Sequence, residues 1–82
     1  MRKHHYIQCE TQYYQEIERG FKRFELRLND RGYEKGDLVY LEEVANGVLT
    51  GRHLPPKEIG YILYGPTLGL AEGWCIFTWW NI

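Results

Sequence analysis

The sequence has no long apolar run, only two cysteines and almost no net charge. No segment approaches the roughly 20 apolar residues that a membrane-spanning helix needs, and the amino-terminal MRKHHYIQ has no signal-peptide core. We therefore expect a cytoplasmic protein without a membrane partner, in a compartment that keeps thiols reduced. Cys9 and Cys75 are then two buried thiols, and a bridge between them requires the first and last strands to lie side by side.

The formal charge of -1 excludes a polycation that coats nucleic acid. The charge is uneven, because residues 1–35 hold eight basic and six acidic residues (+2), and residues 36–82 hold two basic and five acidic residues (-3). A local basic face is compatible with this distribution. A hydrophobic content of 44% and an aromatic content of 16% exclude a disordered chain. The length of 82 residues predicts a single domain with a small core.

Hydrophobic periodicity predicts one early helix and a series of short strands. The helix covers residues 10–19, Glu10 or Thr11 serves its N-terminus, and Gly20 follows its end. The predicted strands cover residues 3–9, 22–28, 38–44, 48–54, 58–65 and 74–80. Asn46-Gly47 is a hairpin signal. The fold class is therefore mainly β with one early helix (α+β). Strands joined mostly as neighbours favour a small closed or nearly closed barrel with the helix packed on it.

The stretch GFKRFELR, residues 20–27, concentrates charge on a predicted strand. Alternation places Arg23, Glu25 and Arg27 on one face, so that a carboxylate lies between two guanidiniums. Lys22 follows the glycine that ends the helix and is free to converge on the same cleft. This arrangement predicts a pocket for an anion or a nucleobase edge. The alternative is the solvated polar face of an edge strand with a weak surface ion pair.

The same stretch resembles the G-x-K-x-x-E-x-R signature of the ASCH domains, a branch of the PUA-like superfamily. Gly20, Lys22, Glu25 and Arg27 occupy its four positions. YEKGDLVYL, with Gly36-Asp37, resembles the hydrophobic-x-x-Gly-Asp element of that family. The chain as a whole is similar to a group of short uncharacterised ASCH-like proteins of bacteria and phages.

The resemblance implies a single PUA-like β-barrel over residues 1–82 and a cleft that binds RNA or a modified nucleotide. Lys22, Glu25 and Arg27 carry over as cleft residues, and Arg23 and Arg31 add charge beside them. Gly20 carries over as a tight turn that needs a positive φ angle and close backbone approach. Gly36 and Asp37 form a second structural turn. No cofactor is implied.

Catalysis is the second hypothesis. Some small ASCH proteins resemble amidohydrolases that deacetylate acetylcytidine with the motif lysine, a threonine and a later helical glutamate. Here Lys22 is kept and Glu25 replaces the threonine. Glu72 is the only acidic residue after Glu58, and it lies in a predicted loop. The candidate catalytic residues are therefore Lys22 and Glu25, acting on a water as a general base.

A protein-interaction module is the third hypothesis. Trp74 and Trp80 share one face of the last predicted strand, and Trp79 takes the other. At least two of the three are expected in the core or in a dimer contact, which leaves a homodimer open. The histidines His4, His5 and His53 match no common zinc spacing, so no metal is expected.

Overall fold

The computed structural model describes residues 2–82, which form six strands and one helix. These are β1 (His4–Glu10), α1 (Thr11–Glu18), β2 (Phe24–Leu28), β3 (Leu38–Ala45), β4 (Val48–His53), β5 (Lys57–Tyr64) and β6 (Trp74–Asn81). The mainly β class with one early helix is confirmed. No helix within residues 2–82 is long and apolar enough to span a bilayer.

The strands form one curled sheet in the order β1-β3-β5-β6-β2, and β4 pairs with the free part of β3. β1 and β3 are parallel, with Ile7 opposite Leu41, and the other pairs are antiparallel. Among residues 2–82, sequential strands pair only at β3–β4 and β5–β6, so the predicted joining of mostly neighbouring strands is wrong. A parallel pair requires a long crossover, and here α1, β2 and the loop at residues 29–37 supply it.

The sheet is a half-barrel rather than a closed barrel. Within residues 2–82, no backbone pairing joins its two edges, β1 and β2. Two arginine side chains cross this open seam instead. Arg27 donates from Nη2 to the carbonyl of Gln8, and Arg31 donates from Nη1 to the carbonyl of Tyr6 at 2.6 Å.

The core lies inside the curl of the sheet, and α1 covers it from the side of β1 and β3. Alternation along β1 turns Ile7 and Cys9 inward, and helical spacing turns Tyr14 and Ile17 toward them. Phe77 of β6 meets this cluster from the far side. The sheet and the helix therefore share one apolar interior.

The three tryptophans divide as the alternation predicts. Trp79 packs against the core, whereas Trp74 and Trp80 lie on the opposite face of β6 and are exposed. Only one of the three therefore belongs to the core of the chain.

The cysteines are free and buried, as predicted. Burial raises the pKa of Cys9 to about 11 and also raises the pKa of Cys75. β1 and β6 are not adjacent strands, so no bridge joins the two thiols.

Both thiols should resist modification in the folded protein. A pKa near 11 leaves about one Cys9 in a thousand as thiolate at about pH 8. Cys9 is only 4% exposed and Cys75 is fully buried, so a reagent has little access to either sulfur. We expect a native sample to release almost no chromophore from a disulfide reagent, and a denatured sample to release two equivalents per chain. Rapid labelling of one thiol in the native state would contradict this burial.

Candidate functional site

The end of α1 positions the first residue of the cleft. Gly20 and Phe21 donate to the carbonyls of Ile17 and Glu16 at 3.0 and 2.9 Å, and Lys22 also donates to Glu16. Gly20 has φ +84°, the predicted left-handed turn. A Cβ atom there would have no neighbour within 4 Å. The predicted close backbone approach at Gly20 is therefore wrong, and only the φ angle favours glycine.

Glu25 lies between Lys22 and Arg27 at the base of a cleft. Its Oε1 accepts from Lys22 Nζ at 2.7 Å and its Oε2 accepts from Arg27 Nε at 2.7 Å. The residue is only 5% exposed. Lys22 also donates to the carbonyl of Phe24 at 2.8 Å. The predicted convergence of Lys22 on the strand carboxylate is confirmed, and both cations are held as donors by fixed acceptors.

Arg23 does not join this group. It precedes β2, is exposed, and donates from Nε to the carbonyl of Gly20 at 2.8 Å. The prediction that two guanidiniums flank Glu25 is wrong, because the strand's pleat begins only at Phe24. A lysine and one arginine flank the carboxylate instead.

The cleft is a cavity of about 680 Å³ along the open seam. Its walls come from β1 (Gln8, Cys9), α1 (Tyr13), β2 and the following loop. The residues lining it that are charged at neutral pH are Glu10, Lys22, Glu25, Arg27, Asp30 and Arg31. Three are acidic and three are basic, so the cleft carries no formal net charge. Such a site suits a neutral polar ligand better than a polyphosphate.

Aromatic rings surround the ammonium of Lys22. Its Nζ lies 5.0 Å from the ring centre of Phe24, 5.8 Å from that of Tyr13 and 5.9 Å from that of Trp79. Trp74 and Tyr33 also line the cavity. A cation held among ring faces is stabilised by their quadrupoles, and the free ring surface can stack on a planar ligand.

Asp37 has a larger role than the structural turn predicted for it. Gly36 has φ +90°, which confirms the turn, but the Asp37 carboxylate is buried beneath β1. His5 Nε2 lies 2.9 Å from its Oδ2, and the backbone N–H groups of Lys3 and Glu34 donate to it at 3.1 and 3.0 Å. Burial alone would raise the pKa of Asp37, but these hydrogen bonds hold that pKa below its usual value.

Sequence reasoning missed this His5–Asp37 pair. The signal was available, because His5 falls on the inward face that Ile7 and Cys9 share. A histidine at such a position needs a buried hydrogen-bonding partner. Asp37 directly precedes β3, the strand that pairs in parallel with β1, and is therefore the acid best placed to be that partner.

The structure thus brings Lys22, Glu25, Arg27 and Arg31 together at one cleft. Glu72 is exposed in a turn and does not line that cavity. Within residues 2–82, no group of three histidine, cysteine or acidic residues has a geometry that could hold a metal ion.

Comparison with known proteins places the chain in a family. Over 57 residues it is 42% identical to the "Uncharacterized 12.9 kDa protein in GpA 3'region" of Escherichia phage P2. That match covers 70% of this chain and 52% of the phage protein, so the chain spans about half the length of that relative. The model of the family described as "Domain of unknown function (DUF3850)" matches residues 4–79. The chain belongs to the DUF3850 family.

Proposed function

We propose that the cleft binds the base of a modified or ordinary nucleotide, free or within a short single-stranded RNA. The observation that carries the proposal is the buried Glu25 carboxylate, fixed between Lys22 and Arg27 at the base of an open cavity with aromatic walls. This geometry combines directional hydrogen-bonding groups with stacking surface, the two elements of base recognition. We also propose that the half-barrel is of the PUA-like, ASCH kind, on the strength of the signature residues gathered at the cleft.

The charge balance narrows the ligand class. A protein that neutralises several phosphates loses affinity steeply with salt, because counterions are released. Here each cation already faces an acceptor on the protein, and the cleft has no net charge. The base and sugar should therefore supply most of the affinity, and a 5′-phosphate should change it by no more than about threefold.

Titration of isotope-labelled protein tests this proposal. Ligands are the four nucleosides, acetylcytidine, their monophosphates and short single-stranded RNA at low and high salt. We expect amide shifts clustered at residues 20–27 and at the β1 edge around Gln8. No response from these residues to any ligand would overturn the proposal.

Two arginines provide matched variants for the same titration. Arg27→Gln and Arg31→Gln remove donors that line the cleft, whereas Arg23→Gln removes an exposed guanidinium just outside it. Loss of one good charged donor corresponds to about tenfold weaker binding. We expect that loss for the two cleft variants, with unchanged binding for Arg23→Gln and a native spectrum for all three. Equal effects at the three positions would indicate nonspecific charge attraction.

Hydrolysis of an acylated nucleoside is the second candidate function. The 2.7 Å contact between Lys22 Nζ and Glu25 Oε1 favours it, because such a pair can pass a proton to and from a water. The NMR spectrum of the ligand, recorded in the same titration, distinguishes hydrolysis from binding alone. Free acetate released from acetylcytidine, and lost in Lys22→Met, would support catalysis, whereas an unchanged ligand supports a binding site.

A further inference from the structure

The outer face of β2 and β6 is apolar except for Thr78, which lies opposite Phe24. Residues opposite each other in register share a face, and Leu26 lies opposite Ile76 while Leu28 lies opposite Trp74. The alternate residues Cys75 and Phe77 point into the core. We call this surface the outer apolar patch. It consists of Phe24, Leu26, Leu28, Trp74, Ile76 and Trp80.

The patch continues onto β5. Leu63 lies opposite Ile76, so three apolar side chains follow one another across three strands. Tyr61, in the bulge of β5, is 66% exposed beside them. Helix α1 contacts β1 and β3 and leaves this side of the sheet uncovered. A contiguous apolar face of this kind on a small protein marks an interaction surface.

The polar groups on this face are already satisfied within the chain. The Thr78 hydroxyl accepts from the Tyr61 N–H at 3.1 Å. Glu58, the one charged residue that β2, β5 and β6 place on this face within residues 2–82, lies at its edge and pairs with Arg2 at 2.8 Å. Burial of the patch would therefore leave no charge unpaired and break no hydrogen bond.

Trp80 is fixed in place before any partner arrives. A Cβ atom at Gly60 would lie 2.5 Å from the Trp80 ring, so the ring rests directly on the glycine backbone. A ring that is already held loses less conformational freedom on binding. Aromatic residues of this type commonly form the centre of protein interfaces.

The exposed area is large for a chain of this size. At about 200 Å² per aromatic side chain, the exposed parts of Phe24, Tyr61, Trp74 and Trp80 amount to roughly 400 Å². Stable interfaces bury about 800 Å² on each partner. The four rings supply about half of this, and the aliphatic side chains between them lie within the same footprint.

We propose that the outer apolar patch is the interface of a two-fold symmetric homodimer. A two-fold interface places the same surface on both sides, and this patch meets its own copy without like-charge repulsion because it carries no free charge. RNA is disfavoured as the occupant, since the patch offers no cation to its phosphates. The two sheets would pack face to face as in a β-sandwich. Phe24, Leu26, Leu28 and Trp74 also line the cleft, so the interface would run along the rim of the cleft. The side chains of Glu25 and Arg27 lie on the other face of β2, opposite the core residues Phe77 and Cys75.

Two leucines with the same exposure give a matched pair of variants. Leu26 in the patch and Leu49 on β4 are each 50% exposed in a strand. Sedimentation equilibrium of the full chain should give twice the chain mass of 9.8 kDa for wild type and for Leu49→Glu. Leu26→Glu should be monomeric, with a dimer dissociation constant raised at least about 100-fold. Circular dichroism checks that each variant is folded.

Tyr61→Glu is a second disrupting variant, in case Leu26→Glu fails to fold. Tyr61 is more exposed than the aromatic and leucine side chains of the patch, so its replacement should disturb the fold least. Filtered NOEs between protomers, from Leu26 methyls to the Trp80 ring, should identify the interface directly. A wild-type protein that stays monomeric up to about 1 mM overturns the proposal. So does equal dissociation by Leu26→Glu and Leu49→Glu. A monomer that sediments with neutral phosphatidylcholine vesicles overturns it in favour of a lipid surface.

Discussion

Replacement of Asp37 with alanine is expected to lower the midpoint of thermal unfolding by roughly 15–30 °C. Asp37 is 2% exposed, and its carboxylate accepts hydrogen bonds from two backbone N–H groups, while His5 Nε2 lies within hydrogen-bonding distance. Alanine would leave these partners buried without an acceptor, at a cost of about 3–5 kcal/mol. A chain of this length has only about 4–12 kcal/mol of total stability.

Thermal melts by circular dichroism measure this effect, and Asp30→Ala is the matched control. Asp30 is exposed in the loop after β2, so its loss should change stability by less than about 0.5 kcal/mol. A midpoint for Asp37→Ala within a few degrees of wild type would show that water replaces the carboxylate. That result would contradict the structural role assigned to the His5–Asp37 pair.

The acid limb of the stability curve gives an independent check on Asp37. Its pKa in the folded protein is lowered from the ordinary 3.8, chiefly by its hydrogen bonds acting against burial. A depressed carboxyl pKa stabilises the fold above the unfolded value, and that contribution disappears as pH falls through the folded value. The stability gap between wild type and Asp37→Asn should therefore be full near neutral pH and narrow below about pH 4.

The elements of the fold could be predicted from local pattern, whereas their pairing could not. The helix end at Gly20 and the hairpin at Asn46-Gly47 follow from chemistry within a few residues. The parallel contact of β1 with β3 depends on a register between residues more than 30 positions apart. Alternation fixes the face of each side chain but not the neighbour of each strand. The half-barrel and its open seam follow from that pairing.

The candidate site, too, could be predicted only in part from local pattern. Spacing predicts that Glu25 and Arg27 share a face, and the glycine turn predicts that Lys22 can approach them. Arg23 fits the alternation equally well but lies before the strand begins, a boundary of two residues that pattern does not resolve. The reach of Arg27 and Arg31 across the seam depends on the curl of the sheet.

Replacement of Glu25 with alanine is the second large effect we expect. It would leave Lys22 and Arg27 as two partly buried cations without their shared counter-charge, at a cost of about 2–4 kcal/mol. The aromatic and aliphatic walls would stay in place, so the folded protein should still have a cleft. Its donors Lys22 and Arg27 would remain, but Glu25 would no longer hold them in position. We expect nucleoside shifts at residues 20–27 to disappear at ligand concentrations that saturate wild type.

A double-mutant cycle separates this ion pair from general strand packing. Glu25→Ala with Lys22→Met should give a coupling free energy of about 1–3 kcal/mol in urea unfolding. The exposed Glu16–Arg19 pair, at 3.6 Å where α1 ends, is the control and should give no more than about 0.5 kcal/mol. If both cycles gave the same small value, Glu25 would behave as an ordinary solvated strand carboxylate. The cleft would then lack the fixed charge on which base recognition depends, and the apolar outer face would become the better guide to function.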